Sequence, residues 1–113
     1  MSVILLGRDL IIASRILEAA AHAKVEARRV DHPADLPPPG DVRLLVVDWG
    51  DRQPGWGDQI AAWRASAPES ARPRVLLFGP HVDRAAHAAA RAAGLGPMRA
   101  RSRILKEIAT LLG

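Results

Sequence analysis

Four places in this chain put reactive or charged side chains at the end of an apolar run. Asp48 closes Leu44-Leu45-Val46-Val47, and Gly7-Arg8-Asp9 close the run beginning at Val3. Gly79-Pro80-His81 follow Val75-Leu76-Leu77-Phe78, and Arg99-Ala100-Arg101 end the short segment from Pro97. Carboxylates and guanidiniums at such ends can do two things: pair with one another, or hold a small anion. A small anionic ligand held among Arg8, Gly79, His81 and Arg101 is therefore one function class to carry forward. His81 is expected at a helix N-terminus, where amides and the helix dipole favour an anion.

Other chemistries are absent. With no cysteine there is no thiolate nucleophile, disulfide or sulfur metal ligand. His81 and His87 stand six apart, the wrong spacing for one helix face, while His22 and His32 fall near other elements, so no metal centre is expected. There is no Gly-x-Gly-x-x-Gly, phosphate-loop lysine or Gly-x-Ser-x-Gly, and the serines at 2, 14, 66, 70 and 102 have no readable base. Neither an enzyme nor a cofactor is expected.

The elements that must position these groups can be read from periodicity. Residues 3–7 lack polar alternation, as a strand buried on both faces does. Asp9 caps a helix whose apolar stripe is Ile12, Ala13, Ile16, Leu17, Ala20 and Ala21. Residues 25–30, charged at Glu26, Arg28 and Arg29, read as a strand near the sheet edge. Residues 31–42, with His32-Pro33 and Pro37-Pro38-Pro39-Gly40, cannot hold a helix of ordinary length. Residues 44–48 are a second buried strand, followed by a Gly- and Trp-rich loop over 49–57 and a helix over 58–66 with Ile60, Ala61 and Trp63 inward. Residues 75–78 form a third strand and 82–93 an Ala-rich helix stopped at Gly94. A last strand covers 97–100, and Ser102 caps a helix with apolar residues at 104, 105, 108, 111 and 112.

Alternating strands and helices imply parallel crossovers. The expected fold class is α/β: a three-layer sandwich on a five-stranded, mostly parallel sheet, with the second crossover helix degraded. In such sheets the site lies beyond the carboxyl ends of the strands, where the four clusters sit. The 113 residues, 49% apolar and 25% charged, fit one soluble domain spanning 1–113. No run is long enough to cross a membrane and the N-terminus has no basic leader, so a cytoplasmic protein is expected. The net charge of +4 is uneven, because residues 57–113 carry nine basic and four acidic side chains.

Val-Ile-Leu-Leu at 3–6, Leu-Val-Val-Asp at 45–48, Val-Leu-Leu-Phe at 75–78, Ala-Ala-Gly-Leu at 92–95 and Arg-Ser-Arg-Ile-Leu-Lys-Glu-Ile at 101–108 together resemble a bacterial response-regulator receiver domain of flavodoxin-like fold. The resemblance covers essentially the whole chain and implies a phosphoacceptor at Asp48. It also implies an acid pair for Mg²⁺, a hydroxyl ending the fourth strand and a lysine ending the fifth. Here the acid pair falls on Gly7 and Arg8 with Asp9 displaced by one place, Gly79 replaces the hydroxyl, and Arg101 falls near the lysine. The resemblance therefore implies a degenerate pocket in which Asp48 pairs with Arg8, Arg101 or both. Its pKa would be lowered and its oxygens occupied.

The expected function is a stand-alone receiver-like adaptor, a pseudo-receiver that signals through a protein partner or a homodimer and is not phosphorylated by the usual Mg-dependent route. Its partner face is expected in the basic stretch 72–106, at Arg84, Arg91, Arg99 and Arg103, with Trp56 as an exposed aromatic anchor. Besides the anionic-ligand class, nucleic-acid binding by the Arg-rich half is kept as an alternative, although no helix-turn-helix or interleaved aromatics accompany it.

Overall fold

The computed structural model describes residues 2–112. Five strands, β1 (Ser2–Leu6), β2 (Glu26–Val30), β3 (Val42–Asp48), β4 (Arg74–Gly79) and β5 (Met98–Ala100), pair in parallel in the order β2-β1-β3-β4-β5. Four α-helices connect or follow them: α1 (Leu10–His22), α2 (Trp56–Ala65), α3 (Arg84–Ala92) and α4 (Arg101–Leu112). The result is the α/β three-layer, flavodoxin-like sandwich, and its sheet is wholly parallel.

Strand side chains alternate between two cores with the expected period of two. Val3, Leu5, Leu44, Val46, Leu76 and Phe78 face α1 and α4, where Ile12, Ile16, Ile104 and Ile108 meet them. Ile4, Leu6, Leu45, Val47 and Leu77 face α2 and α3 and pack against Ile60, Ala86 and Ala90. Apolar side chains on both faces explain why these strands read as unbroken apolar runs. The edge strand β2 has one neighbour and alternates exposed charge with partial burial.

Between β2 and β3 there is no α-helix, only short 3₁₀ turns at Pro33–Asp35 and Pro39–Asp41. The prolines explain this, since each removes an amide donor. The segment is anchored from α2, whose Trp63 indole N–H donates to the Pro37 carbonyl at 2.8 Å, and Leu36 packs on the core.

Some boundaries and exposures differ from expectation. Asp9 does cap α1, accepting from the Ile11 and Ile12 amides at 3.1 and 3.0 Å. Leu17 and Ala21, expected in the buried stripe, are exposed, because the core arc of α1 stops at Ile12, Ala13, Ile16 and Ala20. Ser102 lies inside α4 rather than capping it, since the helix begins directly as β5 ends. α2 starts at Trp56, two residues earlier than expected.

Ile104 is fully buried between α1 and the sheet. Ile104→Ala is expected to lower unfolding free energy by about 2–5 kcal/mol. The exposed neighbour Arg103→Ala is expected to stay within about 0.5 kcal/mol, both read from urea denaturation.

Candidate functional site

The strand order reverses between β1 and β3, so the connections that leave their carboxyl ends run to opposite faces of the sheet and open a crevice. Asp9, Asp48, Gly50, Asp51, Gly79, His81 and Arg101 are among the residues lining this space of about 540 Å³. Four separate strand ends are thus gathered at one place, as the fold predicts.

Ion pairing in the crevice differs from the expectation. Arg101, the first residue of α4, donates from Nε to Asp9 Oδ2 at 2.8 Å and from Nη2 to Asp9 Oδ1 at 3.2 Å. Arg8 donates from Nε and Nη2 to Asp51 Oδ2 and Oδ1 at 3.2 and 3.1 Å. Both guanidiniums are therefore committed, in bidentate geometry, to carboxylates other than Asp48. The expected pairing of Asp48 with Arg8 or Arg101 does not occur. The reason is reach: Asp9 at the helix cap and Asp51 in the 3₁₀ turn Trp49–Asp51 lie nearer the arginines than the half-buried Asp48 does.

The acidities follow. Hydrogen bonding from Arg101 holds Asp9 below the usual carboxylate range, and the helix amides act in the same direction. Asp48 moves the opposite way. Burial pushes its pKa up, and the charges of Asp51 and Asp9 push further, against a weaker pull from the Asp51 amide and Arg101. The expected lowering of Asp48 is thus reversed. Arg8 and Arg101 are both raised, chiefly by the hydrogen bonds to their aspartates. Asp48 lines the crevice, and among the described residues no buried side-chain nitrogen or oxygen lacks a partner.

Glycines set how closely the strand ends approach. Gly7 has φ +145°, and a Cβ there would lie 2.5 Å from the Asp48 Cβ. No acidic side chain can stand at this position without displacing Asp48. A Cβ on Gly79 would come within 2.8 Å of Met98 Sδ and 3.2 Å of the Gly50 amide nitrogen, so a serine or threonine there forces repacking. The two departures from the receiver pattern are therefore built into the packing.

Mg²⁺, which the receiver resemblance implies, does not fit the residues present. Both oxygens of Asp9 and of Asp51 already accept hydrogen bonds from arginine. Among the described residues no three His, Asp or Glu side chains are grouped to hold a metal ion. Three carboxylates and one guanidinium line the crevice, which leaves little positive charge for an anion.

The remaining expected residues divide. His81 lines the crevice but precedes α3, whose first turn is capped by Asp83, with its carboxylate accepting from the Ala86 amide at 3.0 Å. The helix N-terminus assigned to His81 is thus already occupied. Trp56 is not an exposed anchor: it is 4% exposed and belongs to the core under α2 and α3. Arg99 is tied to Glu107 and to the Pro97 carbonyl, while Arg84, Arg91 and Arg103 are exposed on the helices either side of β5. Asp51 was missed from sequence. Its signal is the spacing Asp48-x-x-Asp51 around Gly50, which a single 3₁₀ turn folds back onto the crevice.

Two outcomes follow. Gly7→Ala combines a left-handed φ with a sub-contact approach to Asp48, and is expected to cost about 1–3 kcal/mol in denaturant unfolding. Because its folded-state pKa is raised, ionised Asp48 opposes folding, and that burden lifts as pH falls through the folded-state value towards the ordinary 3.8. Asp48→Asn is accordingly expected to raise Tm at pH 7, with the advantage over wild type shrinking through that window.

Comparison with known proteins adds no assignment: no protein-family model matches the chain, and no curated protein matches it.

Proposed function

We propose that this chain is a receiver-like signalling module that works through protein contacts and does not use Asp48 as an Mg-dependent phosphoacceptor. The observation that carries this reading is the Asp9–Arg101 ion pair across the crevice. Phosphoryl transfer to a carboxylate needs cations free to neutralise charge on the transferring group. Here Arg101, the guanidinium that lines the crevice, neutralises Asp9, and Arg8, in the neighbouring hollow with Asp31 and His32, neutralises Asp51. The close approach of Gly7 to Asp48 and the glycine at 79 support the same reading, since neither position offers a metal-binding acid or a hydroxyl.

The pair also joins the start of α1 to the start of α4, elements that lie at opposite ends of the chain. A module held this way keeps one arrangement of its helices without a phosphoryl group. Output then depends on surfaces, and the exposed Arg84, Arg91 and Arg103 around β5 provide a basic one suited to an acidic protein partner.

Intact-mass spectrometry after incubation with acetyl phosphate and Mg²⁺ tests this. Wild type is expected to show no phosphoryl adduct, like Asp48→Ala. A single adduct on folded wild type that disappears in Asp48→Ala overturns the proposal.

A further inference from the structure

β2 closes one edge of the sheet, with β1 as its one neighbour. The Gly7 amide donates to the Val30 carbonyl at 3.0 Å, so Val30 turns its main-chain groups towards β1. Alternate residues along a strand turn theirs the same way, which points Glu26 and Arg28 at β1 as well. Ala27 and Arg29 therefore point their amides and carbonyls outward, where nothing among the described residues meets them. Of the usual protections of a free edge, β2 has only charge. Residues 25–30 hold no proline, the register with β1 is unbroken, and no α-helix connects β2 to β3. Glu26 and Arg28 stand in register with Ser2 and Ile4, on the side of the sheet where that helix is missing, and both are exposed.

From this edge we infer that β2 pairs antiparallel with β2 of a second copy of the chain, joining the two sheets about a two-fold axis at Ala27. The charge pattern is self-complementary. With Ala27 opposite Ala27, Glu26 of each copy stands opposite Arg28 of the other, twice over. The symmetric registers on either side set Arg28 against Arg28 or Glu26 against Glu26, so charge selects a single alignment. Neither residue has an ion-pair partner within the chain among the described residues. The main chain agrees with this alignment. Ala27 of the two copies exchange a pair of hydrogen bonds at the axis, and each Arg29 amide meets the Val25 carbonyl opposite. The Val25 amide stays with the Ala20 carbonyl, which it already reaches at 2.8 Å. Glu26 and Arg28 then fall at the non-hydrogen-bonded positions, where facing side chains stand closest. Pairing uses the same edge of both copies, so the assembly closes as a dimer.

This interface goes beyond the proposed function and includes no crevice residue. It also lies at the opposite edge of the sheet from β5, so the two readings can fail separately. Sedimentation velocity on the full chain, from about 5 to 500 µM, is expected to show a dimer that dissociates on dilution. Glu26→Arg and Arg28→Glu are each expected to weaken it about tenfold with unchanged circular dichroism spectra, and combining them to restore it. Hydrogen exchange read by NMR is expected to slow with rising concentration at the Ala27 and Arg29 amides. The Glu26 and Arg28 amides, which face β1, are expected to show no such change. A wild type monomeric throughout, or a dimer indifferent to the single swaps, overturns the inference. So does a double swap no tighter than the single ones, or a dimer whose Ala27 and Arg29 amides exchange as fast as the monomer's.

Discussion

The arrangement of the crevice depends on one carboxylate. Asp9 accepts from two amides at the start of α1 and from the guanidinium of Arg101, 92 residues away in the chain. Capping gives the helix its starting point, and the same oxygens fasten the first residue of α4 beside it. Because Arg101 is held there, it is not available to Asp48. Because Arg8 is likewise held by Asp51, the aspartate at the end of the central strand is the one left without a cation. Its pKa is raised first by its own burial, and then by the charges of Asp51 and Asp9 beside it.

Backbone packing reinforces that outcome. Gly7, Gly50 and Gly79 surround Asp48 and the strand end beside it, and side chains at 7 or 79 would collide with existing atoms. Charge and sterics thus act together at Asp48: both arginines are held by other aspartates, and a side chain at position 7 or 79 forces a neighbour to move.

Much of this was legible in the sequence, and the failures have identifiable causes. Apolar runs without alternation gave away β1, β3 and β4 because both sheet faces are covered, and the prolines of 31–42 gave away the missing helix. The convergence of Asp9, Asp48, Gly79 and Arg101 followed from topology alone. What sequence could not show was which carboxylate each arginine reaches, since that depends on differences of an ångström or two between a helix cap, a strand end and a turn. Asp51 was invisible for the same reason: only a tight turn returns it to the crevice. Trp56 misled because a Gly-rich neighbourhood suggests exposure, whereas a helix starting at that residue turns its indole into the core. Leu17 misled in the opposite sense, since a helical stripe broader than the core arc places its last members in solvent.

Carboxyl ¹³C chemical shifts followed by NMR across an acid titration test the central claim, that the arginines serve Asp9 and Asp51 and leave Asp48 unpaired. The account predicts that Asp9 titrates below the ordinary carboxylate value and Asp48 above it, and that Arg101→Ala raises Asp9 towards normal. An Asp48 that titrates below Asp9, with Asp9 near its ordinary value, would contradict the account by showing that an arginine reaches the strand end after all.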